Sequence, residues 1–241
     1  MGTAAILNAF AYVDSHDFTG DANDFGLTCE GEMKEKTNFR SGGWREYHLG
    51  LKTSALNLSG FYQAGADTVD EYAFAALGTG GKVTTCGVNE VEGEPCGMFQ
   101  QMQHEYQWLG EVGEMAPFQL QGGCSDGVGV ILGKLVKEQG AVSATGATGT
   151  ALELGAVAAG KYVYGTFHVL GTPGTTVTAV VESAAASNFA GATTRITFGP
   201  YTTAGGRWGA RVAGSITDTW WRLRVTAITG TFTIACGVGI Q

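Results

Sequence analysis

Through the second half of the chain, apolar positions alternate with polar or small ones. Five runs carry the pattern, at 162–169, 176–181, 193–198, 219–226 and 231–238, and Gly, Pro, Ser and Asn separate them. A period of two turns one face of each run to a core and the other to water, so each is expected as a strand of an antiparallel sheet. In the fourth run Trp221, Leu223 and Val225 share one face, while Trp220, Arg222 and Arg224 share the other. In the fifth, Phe232, Ile234, Cys236 and Val238 point inward together. Strands of this kind predict a two-sheet antiparallel β-sandwich over 151–241.

The first half is mostly strand with one helix. Residues 46–61 form a long alternating run, but Leu49, Leu51, Ala55 and Leu58 do not share one parity, which predicts a bend or bulge near Ser54. Next, Asp67 offers an N-cap and Asp70 an early carboxylate. Val69, Ala73, Ala76 and Leu77 then recur at helical spacing until Gly78 ends the run. Between Cys29 and Trp44 lies a charged, apolar-poor stretch, residues 30–43, with Glu32, Lys34, Glu35, Lys36 and Arg40. A segment of this composition cannot fold on itself, so it is expected as a mobile loop or one ordered by a partner.

Composition narrows the class. Of 241 residues, 44% are hydrophobic and 15% charged, which excludes an intrinsically disordered chain. The 39 glycines follow no triplet period, which excludes collagen and implies a turn-rich protein. Apolar runs such as Val128 to Leu132 fall far short of the ~18 residues a spanning helix needs, and no basic region leads into an apolar stretch at the N-terminus. A soluble chain without a membrane anchor or signal peptide is expected. Five cysteines at irregular spacing read as free thiols in a reducing compartment.

Charge divides unevenly. Residues 1–140 hold 8 Lys and Arg against 19 Asp and Glu, net −11, and residues 141–241 hold 6 against 3, net +3. The small-residue stretch 141–150 between them has the composition of a linker, which predicts separable units at 1–140 and 151–241. A formal net charge of −8 argues against a surface that grips phosphates, so nucleic acid is expected only in transit.

No catalytic constellation emerges. Gly123-Cys-Ser-Asp-Gly127 matches a nucleophile elbow in letters, but Glu153 and His168 downstream sit among strands, with no parallel α/β sheet to arrange them. A glycine-rich turn between strands is the expected role. Cys86, Cys96 and His104 lack metal-ligand spacing, and the four consecutive residues from Asp14 to Asp17 cannot converge on one ion from an extended strand, so a solvated turn is expected there. No phosphate-loop string follows any strand. No enzyme activity, metal or cofactor is expected. Trp208, Trp220 and Arg222 could form an aromatic patch for sugars; alternatively Trp221 is core and Trp220 covers a surface edge.

Residues 1 to about 80 resemble a phage major tail tube protein of the long non-contractile tail type. The likeness lies in an opening strand from Ala9 that ends in Asp17-Phe-Thr-Gly-Asp-Ala-Asn23, the charged loop 30–43, the long strand ending Ser59-Gly-Phe61 and the capped helix 67–77. The resemblance implies a mainly β, tail-tube-like β-sandwich or barrel-forming domain with one α-helix, followed by an outer β-sandwich domain. It also implies homo-hexameric rings that stack into a tube, other tail proteins at the tube ends, and DNA passing through the lumen during ejection. Under this reading the protein resides in the virion tail after assembly in the host cytoplasm. Glu32, Lys34, Glu35, Lys36, Arg40 and Trp44 then belong to the loop that reaches a neighbouring subunit or ring. Two other classes share the β-rich, catalytically empty composition: a capsid decoration or baseplate protein, and a carbohydrate-binding adhesin. The second half lacks the Cys-Trp-Cys pattern of a true immunoglobulin domain.

Overall fold

A computed structural model describes residues 8–63, 68–111 and 113–241. In chain order the elements are β1 (Phe10–Val13), β2 (His16–Asp17), β3 (Ala22–Glu35), β4 (Tyr47–Phe61), α1 (Val69–Ala76), β5 (Lys82–Gly87), β6 (Pro95–Trp108), β7 (Pro117–Cys124) and β8 (Ile131–Val142), then β9 (Gly146–Glu153), β10 (Tyr162–Leu170), β11 (Thr176–Ala184), β12 (Thr193–Tyr201), β13 (Gly205–Trp208), β14 (Val212–Ala213), β15 (Trp220–Thr229) and β16 (Phe232–Ile240). The fold is mainly β and antiparallel, with one short helix among the described residues.

The five runs of the second half became strands, but only β12 and β15 keep the expected wet face. β10 and β16 are buried on both faces, because Val163, Phe167 and Val169 pack into the sandwich core while Tyr164, Leu170 and Ala235 pack into a second core on the other side. β9, β11, β12 and β15 make a four-stranded sheet that packs on β10 and β16. Trp221, Leu223 and Val225 are fully buried between the layers, as are Phe232, Ile234, Cys236 and Val238. The Trp221 indole N–H donates to the Gly155 carbonyl at 3.0 Å, so this large ring is buried with its one polar atom satisfied.

The linker expected at 141–150 is instead strand. β8 runs to Val142 and β9 begins at Gly146. A small residue is required there: at Gly149 on β9 a Cβ would come within 2.2 Å of the Val136 carbonyl oxygen of β8, which β16 flanks from Phe232↔Val142 to Val238↔Lys134. Since β16 also pairs with β10, the 12-stranded sheet runs unbroken from the first half into the second, and the boundary drawn from composition falls inside paired strands. A core cluster straddles it too, with Phe10, Tyr12, Cys96, Met98, Ile131 and Leu135 from one side and Tyr164, Leu170 and Ala235 from the other.

A buried polar chain crosses the same seam. The Gly237 amide donates to Thr166 Oγ1 at 3.3 Å, the Thr166 and Thr85 hydroxyls lie 2.7 Å apart, and Thr85 Oγ1 is 2.9 Å from His168 Nε2. His168 Nδ1 faces the Asp14 carbonyl at 3.0 Å. A carbonyl only accepts, so Nδ1 carries the proton and Nε2 accepts from Thr85, which in turn accepts from Thr166. Every member is satisfied with the ring neutral. The Asp14 carboxylate also accepts from Lys82 Nζ at 2.6 Å and from the Gly206 amide at 2.8 Å. The stretch from Asp14 to Asp17 is therefore a half-buried turn that joins three strands, and not the solvated turn expected from its polarity. That turn also splits the opening strand into β1 and β2.

Helix α1 matches its expected span from Val69, with Val69, Ala73 and Ala76 buried and Asp70 and Glu71 in the first turn. Leu77 lies past its end and is exposed, and Asp67, the expected N-cap, lies outside the described residues. The five cysteines are free thiols.

Candidate assembly surface

The charged stretch is neither loop nor coil over its first part. Residues 30–35 continue β3, which pairs with β4 from Ala22↔Gly60 to Glu35↔Tyr47. Backbone ladder bonds therefore order a segment that has no core of its own, which polarity alone did not anticipate. The expected irregularity in the long strand sits earlier than Ser54: the register shifts between Gly31 and Met33, opposite Leu49 to Lys52. On the near side of this bulge Ser54, Leu56, Leu58 and Gly60 turn inward, and beyond it both strands leave the body of the protein exposed.

The hairpin tip, residues 36–46, is internally tied. The Asn38 side chain accepts from the Arg40 amide at 2.9 Å, the Thr37 hydroxyl accepts from the Glu46 amide at 3.0 Å, and the Ser41 hydroxyl accepts from the Asn38 amide at 3.1 Å. Gly42 and Gly43 turn the chain at φ of 64° and 86°, a left-handed conformation that costs other residues strain. Lys34 pairs with Glu32, and Lys36 reaches Glu46 at 3.7 Å; at such exposed sites pairs contribute only ~0–1 kcal/mol each.

What this hairpin presents to solvent is apolar as well as charged. Phe39 is wholly exposed, Trp44 is 81% exposed and Leu51 82%, and Met33, Tyr47 and Leu49 are exposed with them. A contiguous set of this kind marks an interaction surface far better than scattered apolar residues do. Of the expected loop residues, Glu32, Lys34 and Glu35 lie on β3, Lys36 follows it, and Arg40 and Trp44 lie at the tip. Sequence reading missed Met33, Phe39, Leu49 and Leu51. The signal was present in the odd parity of Leu49 and Leu51 against Leu56 and Leu58.

Within the 12-stranded sheet the hairpin belongs to one arm, in the order β3-β4-β7-β6. β4 pairs with β7 from Ala55↔Gly123 to Phe61↔Pro117, and β7 with β6 from Gln101↔Cys124 to Trp108↔Phe118. Neither margin has a further strand neighbour: β3 pairs with β4 alone, and beyond Gln101 β6 pairs with β7 alone among the described strands, although the Gln103 carbonyl accepts from the Gly78 amide at 2.8 Å past the end of α1. Edge stretches without a strand partner, along β3 and on β6 beyond Gln103, invite another strand. The far end of the sheet, the β6–β7 tip, exposes Trp108, Leu109 and Met115, and Leu109 holds a φ of 94° that is rare outside glycine.

The second-half aromatics are divided between the two sheets. Trp208 sits on β13 in the large sheet, its ring 6.1 Å from that of Tyr164, whereas Trp220 is on β15 of the four-stranded sheet. Arg222 is occupied, since its Nε donates to the buried Glu182 carboxylate at 2.5 Å and its guanidinium lies 4.0 Å from the Phe189 ring centre. The Gly123-to-Gly127 string ends β7 at Cys124 and enters a bend in which the Asp126 carboxylate accepts from the Val128 and Gly129 amides. Both His168 ring nitrogens are engaged, by Thr85 and by the Asp14 carbonyl, and the Ser125 hydroxyl accepts from the Gly81 amide at 3.1 Å, so the two are not paired as nucleophile and base. Among the described residues no group of three His, Cys, Asp or Glu converges as a metal site, and no helix is long and apolar enough to cross a membrane.

No family model matches the chain, and no curated protein matches it. Among solved structures it is similar to a chain of the virion of a native gene transfer agent particle, with a TM-score of 0.41 and 14% identity over 51% of this chain and 95% of that one. A chain of the tail of an empty gene transfer agent particle, with C6 symmetry, gives 0.39 and 14% over 52% and 96%. The Dit protein of phage SPP1, described as a paradigm of the hub adsorption apparatus in phages that infect Gram-positive hosts, gives 0.38 and 12% over 97% and 99%.

Proposed function

We propose that this chain is a non-enzymatic structural subunit of a phage-type tail or baseplate, and that it self-associates through the β3-β4-β7-β6 sheet. The observation that carries this reading is the hairpin of β3 and β4, which leaves the body of the protein with Met33, Phe39, Trp44, Leu49 and Leu51 in water beside an open strand edge. Such a surface is costly unless another chain covers it. In the finer form of the proposal, β3 of one copy approaches β6 of the next, six copies close a ring, and rings stack into a tail tube. DNA passes through that tube in transit and other tail proteins cap its ends, within the virion. The acidic first half suits such a conduit, since a basic lining would hold DNA by counterion release.

Sedimentation velocity over a wide concentration range, with negative-stain microscopy of the same samples, tests the proposal. Rings that grow into tubes support the tube form. Discrete rings that never lengthen favour a baseplate hub, and a monomer at every concentration, even with a tail-tip complex as seed, overturns self-association.

A further inference from the structure

The β3-β4-β7-β6 sheet carries a hairpin tip at each end, and the two tips are opposite in charge. β7 pairs with the Ala55-to-Phe61 part of β4, so the β6–β7 tip lies beyond Phe61, at the end of β4 remote from the 36–46 tip. With a strand rise of ~3.4 Å per residue, the 15 residues of β4 set these ends roughly 50 Å apart. They point in opposite directions along the same strands.

Residues 36–46 hold Lys36, Arg40 and Arg45 against Glu46 alone. Lys36 is spoken for by Glu46, and among the described residues neither Arg40 nor Arg45 reaches a carboxylate. Residues 105–116 hold Glu105 on β6, paired with Gln121, and Glu111 and Glu114 in the connection that follows it, with no Lys or Arg. Among the described residues none of the three carboxylates reaches a cation. Each tip pairs its charge with large exposed apolar side chains, Phe39 and Trp44 at the basic end and Leu109 and Met115 at the acidic end.

We propose that these are the two halves of one contact: the basic, aromatic tip of one copy docks on the acidic tip 105–116 of a second copy of this chain. The inference rests on the self-association reading and adds which surface receives the arm. Two different patches meet, so the contact is heterologous and repeats along a line instead of closing on itself as a two-fold dimer would. Charge sets its direction. Basic tip against basic tip and acidic tip against acidic tip both repel, so head-to-head and tail-to-tail arrangements are disfavoured and every copy in a stack faces the same way. The apolar side chains supply area once the charges have fixed the register.

A charge-swap experiment on the full chain tests this. Arg40→Glu with Arg45→Glu makes both ends acidic, and Glu105→Lys with Glu111→Lys and Glu114→Lys makes both ends basic. Each variant alone is expected to lose lengthwise assembly by at least tenfold, read as the sedimenting fraction at the concentration where the unaltered chain is half assembled. An equimolar mixture of the two is expected to recover it, because each then offers the other a complementary end. Circular dichroism and melting of each variant confirm the fold, and Glu111→Lys with Glu114→Lys, which still makes that end net basic, replaces the triple variant if that one misfolds. Normal assembly by the all-basic variant, with assembly lost in the all-acidic one, overturns the acidic tip as the receiver and leaves self-association through the arm standing. An unaltered chain that stays monomeric overturns both.

Discussion

The sandwich and the arm sheet are built from strands of similar alternation, and they spend it differently. In β15 the alternation separates Trp221, Leu223 and Val225, all fully buried, from Trp220, Arg222 and Arg224, none of which is fully buried. In β4 the same period places Leu56 and Leu58 in a core, yet beyond the bulge Leu49 and Leu51 point into water although they are as apolar. Alternation thus fixes which residues share a face, and only the rest of the chain decides whether anything covers it. A strand with apolar residues on a face its own chain leaves open is a strand whose second layer comes from elsewhere.

The largest effect that could break this comparison concerns the seam. If the two halves were separable, loss of the last strand would damage the sandwich and spare the first half. β16 instead lies between β10 and β8, and Phe232, Ile234, Cys236 and Val238 are all buried. Burial of each such side chain contributes ~1.5–3 kcal/mol, so together they approach the whole stability of a domain, ~5–15 kcal/mol. A chain ending at residue 230 is expected to show no cooperative melting by differential scanning calorimetry, and the full chain a single transition. Two resolved transitions in the full chain would restore two independent units.

A smaller effect comes from His168, whose burial lowers its pKa from the usual 6.5 to about 4. Above pH 6.5 the ring is neutral in both folded and unfolded chains and has no pH effect. As pH falls from 6.5 towards 4 the unfolded chain takes up a proton that the folded chain refuses, so stability drops through that window by up to about 3 kcal/mol and the loss levels off below it. Protonating Nε2 would also strip Thr85 of its acceptor. Chemical denaturation of the unaltered chain and of His168→Gln at pH 7 and pH 5 isolates the effect, because other carboxylates titrate alike in both. The unaltered chain should lose more stability between the two pH values than the variant. Equal losses would mean that the ring is already charged or already wet.

The contrast also explains what was legible in the sequence. The sandwich strands could be read because each carries its own two-fold period and turn residues at both ends, as around Phe232 to Val238. The composition of 141–150 suggests slack, yet one of its glycines lets β9 lie against β8: a Cβ on Gly149 would come within 2.2 Å of the Val136 carbonyl oxygen. Composition cannot distinguish a small residue that frees the backbone from one that lets another backbone close in. The arm escaped for a related reason. Glu32, Lys34 and Glu35 are polar enough for a loop, and the partner that makes them a strand, the stretch of β4 from Tyr47, is supplied across a turn that local composition does not announce. The acidic tip escaped as well, since Glu111 and Glu114 are unremarkable until the β6–β7 pairing sets them at the end of the sheet opposite the arm.

The smallest effect on stability is expected where the effect on assembly is large, in the arm itself. Trp44 and Leu51 are exposed, and the tip's order comes from Asn38, Ser41 and Thr37 holding backbone amides, so neither side chain supports the fold. Surface changes of this kind usually shift stability by no more than ~0.5 kcal/mol. Trp44→Ser with Leu51→Ser should therefore melt within a degree or two of the unaltered chain, while a truncation in the sandwich core, Trp221→Ala, should cost ~3–5 kcal/mol. If the arm is a docking surface, the same double variant should need at least tenfold more protein to assemble, because two large apolar side chains no longer leave water on contact. Thermal melting and sedimentation velocity on one preparation measure both. A variant that melts many degrees lower would show that Trp44 and Leu51 pack within their own chain, and one that assembles at the unaltered concentration would reduce the arm to a solvated excursion of the surface.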